Sequence, residues 1–373
     1  MRTQTVSVRK RRKIRSIAYF DYSLLAIVTL LFAFGLVMLY STSAYIATLE
    51  FEDPLHYLKR QLLASAIGFA GIVGLNIIGY RWLKRFSNLF YIIAFVLCVL
   101  VIFKGTAQGS SSRWLYFGPL SFQPSEFAKL AVIVYLASVV SDQAKNLRDW
   151  HNVVRVFFYI VPLLIPVAYN NLSTAVIIAG IAFGMLFVAS PDYRAFVIII
   201  AVGAIGMMMF ISGAGYRSDR LQIWLHPEKY DRGFQTLQGL YAIGSGGLFG
   251  KGLGESMQKL GSVPEAQNDM IFSIVCEELG TFGAICVMLM YLLLLWRFMI
   301  IANNATDIFG SYLVIGIFIH IALQVILNIA VVTNTMPNTG VTLPFISYGG
   351  TSVMFLLFEM GIAMAVSRGI RLK

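Results

Sequence analysis

The sequence predicts an all-α polytopic membrane protein with about ten transmembrane helices and one large extracytoplasmic loop between helices 7 and 8. Three observations predict it. The 373 residues are 58% hydrophobic, and only 13% are charged, about half the share usual in soluble domains; mean hydropathy is +0.75. Apolar runs close to the ~20 residues that cross a bilayer recur along the whole chain. The basic residues are also sorted by position: seven of the 29 Lys and Arg lie in the first fifteen residues. That distribution reads as a cytoplasmic arm before a retained first helix, since no small-residue cleavage site follows it.

The apolar segments run, in order, Ser23 to Tyr40, Leu62 to Ile78, Leu89 to Phe103, Pro124 to Val140 and Val153 to Tyr169. Leu172 to Ala189, Ala195 to Gly213, Ile271 to Trp296, Phe309 to Val331 and Thr351 to Val366 follow. Several fall short of a full span, so tilt or loop extension must complete them. The fifth and sixth, separated only by "NN", read as either a helical hairpin or a re-entrant pair. An even count from a cytoplasmic arm puts both termini inside and leaves eighteen of the 29 basic residues on the cytoplasmic face. Residues 1–20 are thus a basic arm and 21–373 one transmembrane domain, whose residues 214–268 form the large outer loop. Sorting of charge by lipid and topology leaves no basic patch for nucleic acid. Cys98, Cys276 and Cys286 lie in apolar segments with neither disulfide nor zinc spacing.

The stretch "GSVPEAQNDMIFSIVCEELG", Gly261 to Gly280, carries the chemistry most plainly. Asp269 sits where a polar loop meets an apolar run. It reads either as a cap on the helix that follows or as a general base at the water–lipid boundary, where partial desolvation raises its pKa. Pro264 and Glu265 precede it. Glu277 and Glu278 lie roughly 12 Å further along at helical rise, as buried structural pairs or as walls of a cavity. In "FQPSEFAKL", Glu126 and Lys129 share a helix face at i,i+3, which suits a self-neutralising pair or a polar cavity opposite Asp269.

The outer loop offers Arg217 and Arg220 on one helical face, and six glycines between 244 and 254 that suit either phosphate-binding nests or tight turns. "GGLFGKG" lacks P-loop spacing. His56, His151, His226 and His320 form no pair and no catalytic triad. "NTMPNTGVTLPFISYGGTS", Asn334 to Ser352, reads as irregular backbone, tolerated at such depth only where it lines a cavity or is buried in protein.

With these motifs assembled, the chain resembles the SEDS family (shape, elongation, division and sporulation), the FtsW, RodA and SpoVE proteins. The likeness rests on "SSRWLYFGPLSFQPSEFAKL", "GFQTLQGLYAIGSGGLFGKGLGESMQK", "VPEAQNDMIFSIVCEELG" and "MPNTGVTLPFISYGGTS", and "GLGESMQK" is closer to the FtsW and SpoVE branch. The resemblance implies a peptidoglycan glycosyltransferase of the bacterial cytoplasmic membrane, with its active site facing outward. Such an enzyme polymerises lipid II with inversion and releases undecaprenyl pyrophosphate, beside a class B penicillin-binding protein. It implies Asp269, Glu126 and Lys129 as catalytic residues. Arg113, Arg217, Arg220, Gln235, Glu265, Glu277 and Ser347 are expected to bind substrate. A divalent cation, Mg or Mn, is a candidate companion of the pyrophosphate; no organic cofactor is expected. Two departures stand out: Asn171 replaces an acid common in relatives, and "VPEAQNDM" replaces the commoner Leu, His and Phe around Asp269. A lipid II flippase is the competing reading, and a scaffold for a transpeptidase a third.

Overall fold

A computed structural model describes residues 20–108, 111–117, 120–212, 222–230, 233–261 and 263–370. Helix α1, Tyr22–Phe51, starts at Asp21, whose Oδ1 accepts from Leu24 N over 2.9 Å; its Oδ2 lies 2.6 Å from Arg297. That buried carboxylate therefore caps one helix and fastens another. Helices α2 (His56–Ile78), the short α3 (Trp82–Arg85) and α4 (Ser87–Lys104) follow. Between α4 and α5 the chain makes a feature the all-α expectation omitted. Strands β1 (Thr106–Gln108), β2 (Ser111–Phe117) and β3 (Leu120–Phe122) form an antiparallel sheet in the order β1-β2-β3. Short strands of this length carry too little alternation to register in a chain so apolar throughout.

Helix α5 (Pro124–Gln143) opens on a proline at its first turn, where the missing N–H costs nothing. Helices α6 (Trp150–Phe158) and α7 (Val161–Asn170) are bent by 44° against each other. Asn171 then takes an extended conformation and α8 (Leu172–Ala189) returns, so the "NN" break is a helical hairpin. Helix α9 (Arg194–Ser212) is followed in the outer loop by α10 (Phe234–Ser245). The chain closes with α11 (Ile271–Asn304), α12 (Ile308–Val332) and α13 (Gly350–Ser367).

Eight of these helices, α1, α2, α4, α5, α8, α11, α12 and α13, are long and apolar enough to cross a membrane. The bent α6–α7 pair is a broken span or a re-entrant loop, which brings the number to nine if the pair counts as one span, and Arg194–Gly206 of α9 is a shorter apolar helix. Helices α5 and α13 are the most enclosed, with α13 against α2 so closely that a Cβ on Gly361 would come within 2.9 Å of Ile72 Cα. Close backbone approach of this kind is how helices gain contact where lipid offers no hydrophobic drive. Helix α11 is not continuous. Gly280 has φ +68°, ψ −170°, and the chain from Gly246 to Gly252 lies in the break. Lys251 N and Gly252 N donate to Glu277 O and Glu278 O, while Thr281 N and Phe282 N donate to Gly247 O and Leu248 O. The loop's own backbone thus satisfies the groups that the break releases. A Cβ at 280 would meet Gly250 N at 2.4 Å, so only glycine fits.

Candidate active site

Asp269 lies in the turn just before α11, and α10, the loop around Gly340 and the preceding turn all converge on it. Gln235, from the first turn of α10, donates from Nε2 to Asp269 Oδ1 over 3.4 Å. Asn338 Nδ2 in turn donates to Gln235 Oε1 over 3.0 Å, which fixes the amide with its donor toward the carboxylate. On the other side stands Gly340 with φ +67°. A Cβ there would touch Asp269 Oδ2 at an ordinary 3.9 Å, so it is the left-handed backbone that favours glycine at this point of the wall. Glu265, exposed and itself at φ +56°, accepts from Asn268 Nδ2 in the same turn. Asp269 retains 8% of its surface. Burial pushes its carboxyl up to about 7, and the Glu265 charge adds to the rise, against two backbone N–H groups that oppose it. A carboxylate with that value is half ionised at neutral pH, the condition under which a general base works best.

Beneath Asp269 the polar groups continue along one face of α12. Asn328, Gln324 and His320 are spaced by four residues and all three are buried. Asn328 Nδ2 donates to both Asp269 O and Val341 O, each at 2.8 Å. Gln324 Nε2 donates to Thr342 O over 3.0 Å, and its Oε1 accepts from Lys129 Nζ over 3.2 Å. Lys129 also pairs with Glu126 at 3.0 Å. One turn deeper, His320 Nδ1 sits 2.9 Å from Glu359 of α13. The Glu126–Lys129 pair is therefore self-neutralising, and Gln324 of α12 binds both Lys129 and the wall residue Thr342.

Glu277 and Glu278 are fully buried and engage the returning loop. Lys251 Nζ lies 2.6 Å from Glu277 Oε1, with Ser256 on the other carboxylate oxygen. Lys259 Nζ lies 2.7 Å from Glu278 Oε1 and also binds Ser41 Oγ of α1 at 2.9 Å. Glu277, expected among substrate-binding residues, thus has its charge committed to a lysine of the loop. The expected glycine nests resolve the same way: Gly246 and Gly250 would drive a Cβ into Cys276 O at 2.0 Å and Glu278 O at 2.1 Å. They permit close packing on α11. The expected outer loop accordingly reaches the depth of the two glutamates.

Ser347 is 2% exposed, and its Oγ accepts from Leu343 N over 2.8 Å; it shapes the wall from within. Arg113 of β2 donates from Nε to Asn170 O over 3.3 Å and lines a pocket with Ser125, Asn170, Asn171 and Cys98. Ser173, in the first turn of α8, donates from Oγ to Thr339 O over 2.8 Å. Arg217 and Arg220 lie outside the described residues. Among the described residues no three His, Cys, Asp or Glu side chains gather as a metal set. Among the described residues, Glu265 is the acidic group that acts on Asp269.

The family model described as cell cycle protein, covering FtsW, RodA and SpoVE, matches residues 21–371. The chain belongs to this family. Stage V sporulation protein E of Bacillus subtilis (strain 168) is 40% identical over 354 residues, covering 93% of this chain and 97% of that protein. A Trichlorobacter lovleyi protein named probable peptidoglycan glycosyltransferase FtsW is 35% identical over 370 residues, covering 97% of this chain and 96% of its own length. Among solved structures, a chain from work on coordinated polymerization and crosslinking by a peptidoglycan synthase complex superposes with a TM-score of 0.78. It is 25% identical, and the match covers 94% of this chain and 98% of that one.

For a chain of the FtsW, RodA and SpoVE family, two features of the site escaped the sequence reading. Asn328 and Gln324 were the only side-chain amides in an otherwise apolar run from 308 to 332, and their spacing of four, shared with His320, was the available signal. Lys251 and Lys259 gave none, because their partners lie 26 and 19 residues away across a fold-back.

Proposed function

We propose that the chain is a peptidoglycan glycosyltransferase that polymerises lipid II on the outer face of the bacterial cytoplasmic membrane, with both termini inside. The observation that carries this reading is the Asp269 carboxyl, enclosed at a helix start beside the membrane surface and raised to about 7. The acceptor's sugar 4-hydroxyl gives its proton to the Asp269 carboxylate. Its oxygen bonds to the donor's anomeric carbon from one face, and the bond to the pyrophosphate oxygen breaks on the other. Undecaprenyl pyrophosphate leaves with the electron pair, and the anomeric centre inverts. A general base of this kind contributes about 10²–10⁴-fold.

The departing pyrophosphate needs fixed positive charge. In this reading Arg113, Arg217 and Arg220 supply it; Lys129 has its charge balanced by Glu126. Gln235 orients the base, and Glu265 tunes it. The relatives' names and the synthase-complex neighbour support a class B penicillin-binding protein as partner.

The test uses purified protein and lipid II in detergent. Wild type yields polymer, and Asp269→Asn inserts and folds but yields none. Polymer at near wild-type rate from Asp269→Asn sinks the base assignment. Translocation of lipid II across vesicles without any polymer establishes the flippase instead.

A further inference from the structure

We infer that Asn328 is a positioning residue for the base, holding Asp269 and the Gly340 wall at their working separation. The inference rests on the base role proposed for Asp269. Two irregular segments, the turn at 267–270 and the loop at 338–346, meet at the carboxylate, and neither is part of a regular ladder that would fix its distance from the other. Asn328 spans them. It is wholly buried, and both hydrogens of its Nδ2 are used, one on Asp269 O and one on Val341 O, each at 2.8 Å. Val341 adjoins Gly340, where a Cβ would lie 3.9 Å from Asp269 Oδ2, so this stretch of wall lies against the carboxylate. A single backbone bond, Tyr348 N to Gln267 O at 2.8 Å, adds a second tie between the same segments.

The chemistry of the side chain explains its identity. Two carbonyl oxygens must be served from one buried point, which requires two hydrogens on one short side chain. Asparagine has them; an ionised aspartate has only acceptors. Leucine of similar size would leave two carbonyls unsatisfied in a buried place. Among the described residues Asn328 Oδ1 has no hydrogen-bond partner, and the two hydrogens of Nδ2 carry the contacts. Gln324, one turn earlier, repeats the device on Thr342 O and accepts from Lys129. Successive turns of α12 therefore hold successive wall residues in register with the base.

Loss of the clamp lets the wall drift from the carboxylate and lets water in, and misplacement by an ångström costs about a hundredfold in rate. The experiment compares Asn328→Leu, Asn328→Asp and the smaller Asn328→Ser with wild type and Asp269→Asn. Each is measured for polymerisation of purified lipid II across pH, with thermal unfolding in detergent alongside. The Leu and Asp variants are expected to lose about tenfold to a hundredfold in kcat, with KM nearly unchanged. The pH midpoint of the Leu variant should move from near 7 toward ordinary carboxylate values as the base becomes hydrated, whereas in the Asp variant the added carboxyl opposes that shift. The Ser variant, with room for a bridging water, falls between and keeps the comparison readable if the bulkier replacements do not fold. An unchanged pH midpoint and wild-type kcat in a folded variant overturn the inference, because mere destabilisation moves neither. If Asp269→Asn is fully active, the base reading itself fails, which is a separate outcome.

Discussion

Gln235 Nε2 lies 3.4 Å from the Asp269 carboxylate, while Asn338 holds the other end of the same amide at 3.0 Å. The donor is thereby presented to the ionised form of the acid, which lowers the cost of ionisation. Glu265 acts in the opposite sense, since a second negative charge nearby disfavours the ionised form. Removing each must shift activity in opposite directions along the pH axis. Because the ionised carboxylate is the active base, polymerisation rate should rise through a midpoint near 7. Gln235→Leu moves that midpoint to higher pH, and Glu265→Gln moves it to lower pH. Initial rates with lipid II between pH 5 and 9 check both; shifts of the same sign would contradict the electrostatic account.

The raised value has a consequence for stability that is independent of any substrate. A carboxyl of model value 3.8 held near 7 keeps its proton in the folded state over a range where the unfolded chain releases it. Its contribution to stability is fully present below pH 3.8 and is lost as pH rises through 7. At about 1.4 kcal/mol per decade, the loss is on the order of 4 kcal/mol. Asp269→Asn escapes that loss, being neutral throughout. Thermal unfolding in detergent should show the variant close to wild type at pH 4 and clearly more stable at pH 8. A variant no more stable at pH 8 than at pH 4, relative to wild type, would falsify the burial of a charge at 269.

Much of this architecture could be read from residues alone, and the limits are physical. The ten apolar segments were visible because lipid demands length and composition, both local properties. Asp269 stood out as an acid at the edge between a polar loop and an apolar run, and Glu126 with Lys129 as an i,i+3 pair on one helix. The break at Gly280 was not visible, because only the returning loop makes it: Leu248 and Gly250 sit where a Cβ would go. The pairing of Glu277 and Glu278 with Lys251 and Lys259 was hidden for the same reason. Six glycines near a lysine looked as much like an anion nest as like packing, and tertiary approach alone decides between the two.

Asn171 stands where the family resemblance implies an acid, and here it serves as a helix cap. Its Oδ1 accepts from Thr174 N over 3.2 Å as the cap of α8, a task that needs an acceptor and no charge. Asn171→Asp should therefore keep the cap and add favourable interaction with the helix N-terminus, about 0.3–1 kcal/mol. The expected outcome is equal or slightly higher thermal stability with polymerisation intact. A folded variant with strongly reduced stability would show that the amide hydrogens at 171, rather than the cap, are required.

The two lysine–glutamate pairs differ in a way that ranks their importance. Lys251 keeps 35% of its side-chain surface, so water already shares its charge, whereas Lys259 keeps 8% against a fully buried Glu278. Lys259 also reaches Ser41 of α1 and Gly254 O, so it ties the returning loop, α11 and α1 at one point. Truncating one member of such a pair strands the other charge without water, at about 3–5 kcal/mol. Glu277 and Glu278 are equally buried, so either truncation strands a carboxylate, and Lys259→Met should cost more than Lys251→Met because it also gives up Ser41 and Gly254 O. Glu278→Gln in the Lys259→Met background should recover most of the loss, because the stranded charge is gone. Thermal unfolding of the three variants and the double variant in detergent decides it. If Lys259→Met and Glu278→Gln add their effects instead of cancelling, the pair does not carry the coupling between loop and helix, and the break at Gly280 must be held by its backbone bonds alone.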